Sequence, residues 1–310
     1  MPGHKWGYAI NQWRSKPERL VRREQQERAF KEMSACGFRG IQLKGAFGYG
    51  EHLGSPGLIL LDYGSADNFR DYLRDCGIDQ VVSFTFEPSQ SPSNPENHER
   101  ILEAARSFTA FLHDINGLFL VASAMPSYWR EAPVTEAKIK NAAECWNKVG
   151  KMTRDYGIQL ALHTDFLCAV HSMDDIDKLM QFTDPGLVGL VIDTGELTVA
   201  GMNPLAVYDK HYSRVKLFHF KDTHDKDTLE EYKEENADLK FLTGGGKREI
   251  ERWFWEMGEP GGLVDFPALM KSIKARGYDG WIVVESENSV NPSETAALNS
   301  WYVKKVLDKI

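Results

Sequence analysis

ARGYDGWIVVE, residues 275 to 285, reads as a helix end, a glycine turn, and then a buried strand that finishes on a carboxylate. Gly277 supplies the left-handed conformation that commonly ends a helix, and the apolar run after it suits a strand covered on both faces. The same device recurs in ACGFRGIQL (35–43), DCGIDQVVSF (75–84) and DYGIQLALH (155–163). Short apolar strands alternating with longer helical patterns mark βαβ units and a parallel sheet. Eight strands are predicted, at 7–13, 40–44, 80–86, 118–123, 159–163, 188–193, 215–220 and 281–285. Eight helical stretches accompany them, near 18–36, 66–75, 95–114, 134–156, 173–182, 203–211, 265–276 and 292–309. Eight of each predicts an α/β fold closed as a (β/α)8 TIM barrel. An open doubly wound sheet would carry a Gly-rich phosphate loop after its first strand, where this chain has YAINQWRSK.

A chain of 310 residues suits one such barrel, and no linker interrupts it, so 1–310 is read as a single domain. The longest irregular region, 222–263, follows strand seven; it is charged at first, then carries GGG at 244–246 and WFW at 253–255. Loops of that length are usually functional, and exposed aromatics favour interfaces, so it is expected to be an active-site lid or a subunit contact.

The net charge of -8, with Lys and Arg scattered, excludes a polyanionic nucleic-acid partner. The beginning, MPGHKWGYAINQW, shows no secretory signal pattern, and no run approaches the roughly 18 apolar residues of a membrane span. No membrane association and a cytoplasmic location are expected. Cys36, Cys76, Cys145 and Cys168 form no C-x-x-C pair and read as buried, reduced thiols.

In an eight-stranded barrel the reactive groups stand at the C-terminal strand ends. Strands five to eight end in His163, Asp193, His219 and Glu285. Any one of these alone is more simply a hydrogen-bonded core residue or a cap, but four at one height predict a divalent-metal site. Such a donor set suits Mn²⁺ best, with Co²⁺, Zn²⁺, Fe²⁺ or Mg²⁺ as alternatives. Lys44 and Lys221, at strand ends two and seven, read equally as surface charges or as donors to a substrate oxygen. Asn11 and Trp13 at the end of strand one, and Phe86 on strand three, are candidate substrate contacts for a polyhydroxylated ring, although core packing is the simpler reading of Phe84 and Phe86.

The segments VIDTGELTVAGMNPLAV (191–207), RVKLFHFKDTH (214–224) and GLVDFPALMKSIKARGYDGWIVVESENS (262–289) resemble the xylose-isomerase-like barrel superfamily of sugar isomerases, epimerases and endonuclease-type enzymes. With ALHTDFLCAVHSMDDIDKLM (161–180), the resemblance is strongest to its inosose (2-keto-myo-inositol) dehydratase branch, and it is carried by residues 157–290. The resemblance implies a metal held at the positions of His163, Asp193, His219 and Glu285. Two departures stand out. Many relatives have Glu at the position of His163, and most read D-T-G-H where this chain has Asp193-Thr194-Gly195-Glu196; further His residues of the dehydratases are replaced by Thr164 and Asp165.

The chemistry implied is removal of a proton beside a carbonyl while the metal stabilises the developing oxyanion. Asp165 and Glu196 are the candidate bases, with His163 if one metal position stays vacant, and Lys44 and Lys221 are candidate catalytic partners. The leading expectation is a metal-dependent lyase acting on a keto-sugar, keto-inositol or 3-keto-glycoside by β-elimination. Alternatives are a metal-dependent sugar isomerase or epimerase, and a non-catalytic binding module or the larger subunit of a sugar-processing complex whose smaller partner completes the site; a homo-oligomer or such a complex is the expected assembly. Nuclease activity fits poorly with a chain lacking a basic groove.

Overall fold

The computed structural model of the chain describes residues 4–13, 22–45, 55–242 and 250–310. Eight parallel strands close into a barrel in chain order. The first seven are β1 (Lys5–Ala9), β2 (Gly40–Leu43), β3 (Gln80–Phe86), β4 (Phe119–Ser123), β5 (Gln159–His163), β6 (Val188–Asp193) and β7 (Val215–Phe220). A short antiparallel pair, β8 (Asp222–Thr223) and β9 (Phe254–Trp255), intervenes before β10 (Trp281–Val284). β10 pairs with both β7 and β1, which completes the ring and the expected (β/α)8 barrel.

The glycine turns adopt the conformation expected of them. Gly37, Gly77, Gly157 and Gly277 have φ of +93°, +85°, +74° and +68°. In each case the next residue's N–H returns to a carbonyl in the last helical turn, as in Phe38 to Met33 at 3.0 Å and Tyr278 to Ile273 at 3.2 Å. Asn116, φ +56°, makes the same turn before β4 without glycine, because its short polar side chain tolerates the left-handed region.

Two apolar layers hold the barrel. Val82, Val121, Ala161, Val191, Leu217 and Val283 pack within one cluster on the strands, as the filled interior of such barrels requires. A larger cluster joins strands to helices; Trp146 is fully buried in it and donates its indole N–H to Ala124 O at 2.8 Å. Phe84 belongs there too, edge-on to Phe108 and Phe111. The four cysteines are free thiols, and burial pushes Cys145 up to about 12.

Several boundaries differ from the sequence reading. The first strand stops at Ala9, and the chain turns at Asn11–Gln12, with Trp13 N–H bonded to Ile10 O at 3.1 Å. Trp13 is buried edge-on to Tyr8, and its Nε1 donates to Glu32 Oε2 at 2.7 Å. It therefore packs against the helix layer and is not the wall of the barrel mouth that was expected. Short helices not foreseen occupy Pro56–Tyr63, Tyr128–Glu131, Thr194–Val199 and Ala237–Leu242. The first helix is described from Arg22; residues 18–21 and the GGG at 244–246 lie outside the described residues.

The 222–263 excursion folds back on the barrel. Trp253 and Phe254 are 3% and 4% exposed, packed with Phe166 and Phe241, while Trp255 stacks on His224 at 4.4 Å. The exposed aromatic patch expected to support a subunit contact is therefore not exposed.

Gly150 lies in the helix Glu136–Asp155, where an added Cβ would sit 2.6 Å from the Leu187 carbonyl oxygen. Alanine normally stabilises a helix interior by about 1 kcal/mol over glycine. Here a backbone atom blocks it, and overpacking of this kind costs about 1–3 kcal/mol. Gly150→Ala is therefore expected to lower stability in urea unfolding; a raised midpoint would show that the helix and the strand behind it separate freely.

Candidate active site at the barrel mouth

Strand register decides which side chains meet. Asp193 pairs with His219, Ser123 pairs with His163, and Glu285 N–H bonds Phe220 O at 3.0 Å just past β10. His163 Nε2 lies 3.2 Å from Asp193 Oδ2. His219 Nδ1 lies 3.4 Å from the same oxygen and 3.2 Å from Glu285 Oε2. Ligand atoms of His163, Asp193 and His219 all fall within 4.8 Å of one another.

His219 is oriented by a residue that sequence reasoning passed over. Its Nε2 donates to Gln42 Oε1 at 2.8 Å, and Ser83 Oγ donates to the same oxygen at 2.7 Å. Nδ1 is thereby turned toward the carboxylates, buried and without a hydrogen-bond partner among the described residues. An imidazole with one nitrogen clamped by a polar neighbour and the other aimed among carboxylates is how a metal-ligating histidine is held. The donor set fits a divalent cation. The signal available in GIQL was a polar side chain inside a buried strand.

Lys221 sits at the centre of this charge. It is 1% exposed, and its Nζ lies 2.8 Å from Glu196 Oε1, 3.3 Å from Asp193 Oδ2 and 3.9 Å from Glu285 Oε2, with the Phe254 ring 4.0 Å away. Burial would lower its pKa, but the surrounding carboxylates hold it well above the usual lysine value. Burial would raise Asp193 and Glu285; Lys221 and the histidines instead hold both below the usual carboxylate range. Glu196 differs: burial pushes it up to about 8 despite Lys221 beside it. Its Oε2 accepts from Phe166 N–H at 3.1 Å, and its own N–H bonds Asp193 Oδ1 at 3.0 Å. Burial also raises Asp165, against the pull of His163. The site thus separates carboxyls held ionised from two that retain a proton more readily.

Above these groups opens a cavity of about 480 Å³. Lys44, Phe86, His163, Asp165, Glu196, His219, Lys221 and Glu285 all line it. Lys44 Nζ faces Glu87 Oε1 at 3.5 Å. Asn11 is not on the wall: its Nδ2 donates to Glu285 Oε1 at 2.6 Å and Glu287 Oε1 at 3.0 Å, which places it behind the carboxylates. Its proposed substrate contact thus becomes a brace for Glu285.

The family model for the xylose isomerase-like TIM barrel matches residues 30–303. The chain belongs to that family. A member named inosose dehydratase, from Clostridium beijerinckii, is 30% identical over 292 residues, which is 90% of this chain and 89% of that protein. Two family-like folds among solved structures are similar in backbone. A probable 3-DHS dehydratase from Bacillus anthracis superposes with a TM-score of 0.74 at 12% identity, covering 97% of this chain and 98% of that one. A xylose isomerase-like barrel protein from Mycobacterium smegmatis, in complex with magnesium, gives 0.67 at 17%, covering 99% and 97%. Among the described residues of this family member, no helix is long and apolar enough to cross a membrane.

Removing one partner of a buried charge network leaves the others uncompensated, at about 3–5 kcal/mol. Lys221→Met is expected to destabilise the chelator-treated protein by about that amount, and an added divalent ion is expected to restore part of it. Unfolding curves with and without Mn²⁺ check this; equal stability of variant and parent in chelator would contradict the charge balance described.

Proposed function

We propose that this chain is a divalent-metal-dependent lyase that removes the proton beside a ketone of a keto-sugar, keto-inositol or 3-keto-glycoside and expels the β-oxygen. One observation carries the reading. His163, Asp193 and His219 converge within metal-bridging distance beneath a cavity whose lining includes Asp165 and Glu196, the two carboxyls that burial raises. The inosose dehydratase name of a relative matched along most of its length supports the same reaction class.

His163, Asp193, His219 and Glu285 would hold the cation, which when bound supplies Lewis-acid stabilisation of the charge that develops on the ketone oxygen. Imidazole nitrogens beside carboxylates favour Mn²⁺, Fe²⁺, Co²⁺ or Zn²⁺ over Mg²⁺. Asp165, whose Oδ1 accepts the Leu167 N–H at 3.0 Å, takes the α-proton. Glu196, hydrogen-bonded to Lys221, delivers a proton to the departing β-oxygen. Lys44 and Phe86 line the cavity and orient the polyol, with Lys44 donating to a hydroxyl and Phe86 covering a C–H face.

Metal-loaded protein is expected to convert 2-keto-myo-inositol or a 3-keto-glycoside to an absorbing enone, and to lose that activity in chelator. His219→Ala should lower bound metal from about one ion per chain to near zero by elemental analysis. Gln42→Leu should weaken metal binding about 10- to 100-fold, the usual cost of losing such a support. Equal metal content in parent and His219→Ala, or no turnover of either substrate class, would reject the proposal. Deuterium entering recovered sugar without elimination would instead make the protein an epimerase, with Asp165 and Glu196 as its two bases.

A further inference from the structure

We infer that the cavity is shaped for an uncharged, two-part ligand: a keto-polyol ring at the strand ends and, on its β-oxygen, a flat apolar group held by Phe166, Phe241 and Trp253. The reaction rests on the lyase reading above, whereas the binding claim stands on the cavity itself. Sites of roughly 300–1,000 Å³ take drug-sized ligands, so a space of about 480 Å³ leaves room beside a single polyol ring.

The lining divides by origin. Strand ends supply His163, His219, Lys221 and Glu285 beside the ring of Phe86, whereas the loop after β5 and the 222–263 excursion supply the rings of Phe166, Phe241, Trp253 and Phe254 together with Asp238. Phe166, Phe241 and Trp253 form one cluster with centroids 4.9–5.4 Å apart, the spacing at which rings also receive a further flat group. Trp253 is 3% exposed, yet its indole N–H has no hydrogen-bond partner among the described residues. Buried indoles usually find an acceptor, and a ligand oxygen beside the apolar group would provide one.

Charge completes the case. Barrel enzymes that bind phosphate commonly do so at the loops after the last two strands. Here those positions carry Glu285 and Glu287, and Lys221 is already committed to carboxylates. The two other permanent cations on the described lining are also paired, Lys44 with Glu87 at 3.5 Å and Arg130 with Asp238 at 2.9 Å. Seven carboxylates line the cavity against these three cations, so a bound divalent ion would not turn it positive. A phosphorylated or carboxylated substrate therefore meets repulsion, with no unpaired cation to clamp it among the described lining residues. In the elimination the α C–H and β C–O bonds break and a C=C bond forms. The apolar group leaves as its alcohol or phenol, carrying the proton delivered to the leaving oxygen.

The test compares binding of phenyl β-D-glucopyranoside, methyl β-D-glucopyranoside, glucose and glucose 6-phosphate to metal-loaded protein by calorimetry. The phenyl glycoside is expected to bind at least tenfold tighter than the methyl one, and glucose 6-phosphate at least tenfold weaker than glucose. Trp253→Ala should reduce the phenyl preference to within threefold. Trp253→Phe, which keeps a ring and loses the N–H, should retain part of it and guards against a variant that fails to fold. Equal affinity for phenyl and methyl glycosides, or tighter binding of the phosphate ester, overturns the inference. Kinetics with the 3-keto phenyl glycoside and 2-keto-myo-inositol separate the two proposals. A retained phenyl preference without any elimination sinks the lyase and leaves the two-part cavity; equal elimination of both with no phenyl preference does the reverse.

Discussion

The mouth of this barrel is organised around one buried ammonium, Lys221, set among Asp193, Glu196, Glu285 and Glu287. Ionised carboxylates out of contact with water are costly unless opposite charge and hydrogen bonds offset them. Lys221 offsets several at once, and Phe254 over it shuts out water. Around it Asn11 braces Glu285, and Gln42 braces His219. The arrangement holds a dense set of carboxylates and imidazoles in fixed positions at the barrel mouth.

Sequence carried the architecture because its signals were local. A glycine with positive φ needs no distant partner to be recognised, and strands buried on both faces declare themselves by continuous apolar runs. Once strand ends were placed, His163, Asp193, His219 and Glu285 followed from counting. What escaped depends on tertiary contact. Trp13 lies where an aromatic wall would be sought, but the chain turns at Asn11–Gln12 and carries the indole to Glu32. Gln42 is one polar letter in a strand, and only the closed barrel brings His219 to it. The short helices of the mouth, such as Thr194–Val199, are too brief for a periodic pattern to register.

The excursion after β7 shows how the mouth gains its aromatic side. Asp238 accepts from Trp129 Nε1 at 3.0 Å and pairs with Arg130 at 2.9 Å, clasping the segment to the loop after β4. With that clasp in place, Phe241, Trp253 and Phe254 face Phe166 and not solvent. A composition that suggests an interface serves instead to line the chain's own cavity.

Both ends of that excursion are spliced near a single carboxylate. Asp222 accepts N–H groups from Gly258 at 3.3 Å and Val264 at 3.2 Å, β8 pairs with β9, and Gly262 approaches so closely that a Cβ would stand 2.3 Å from Asp222 Oδ2. The intervening stretch behaves as a cassette in a fixed socket. Because both ends are fixed by one side chain, a change of length between them carries little loop-closure cost, whereas Phe254, which covers Lys221, ties the stretch to the charged ends of the strands.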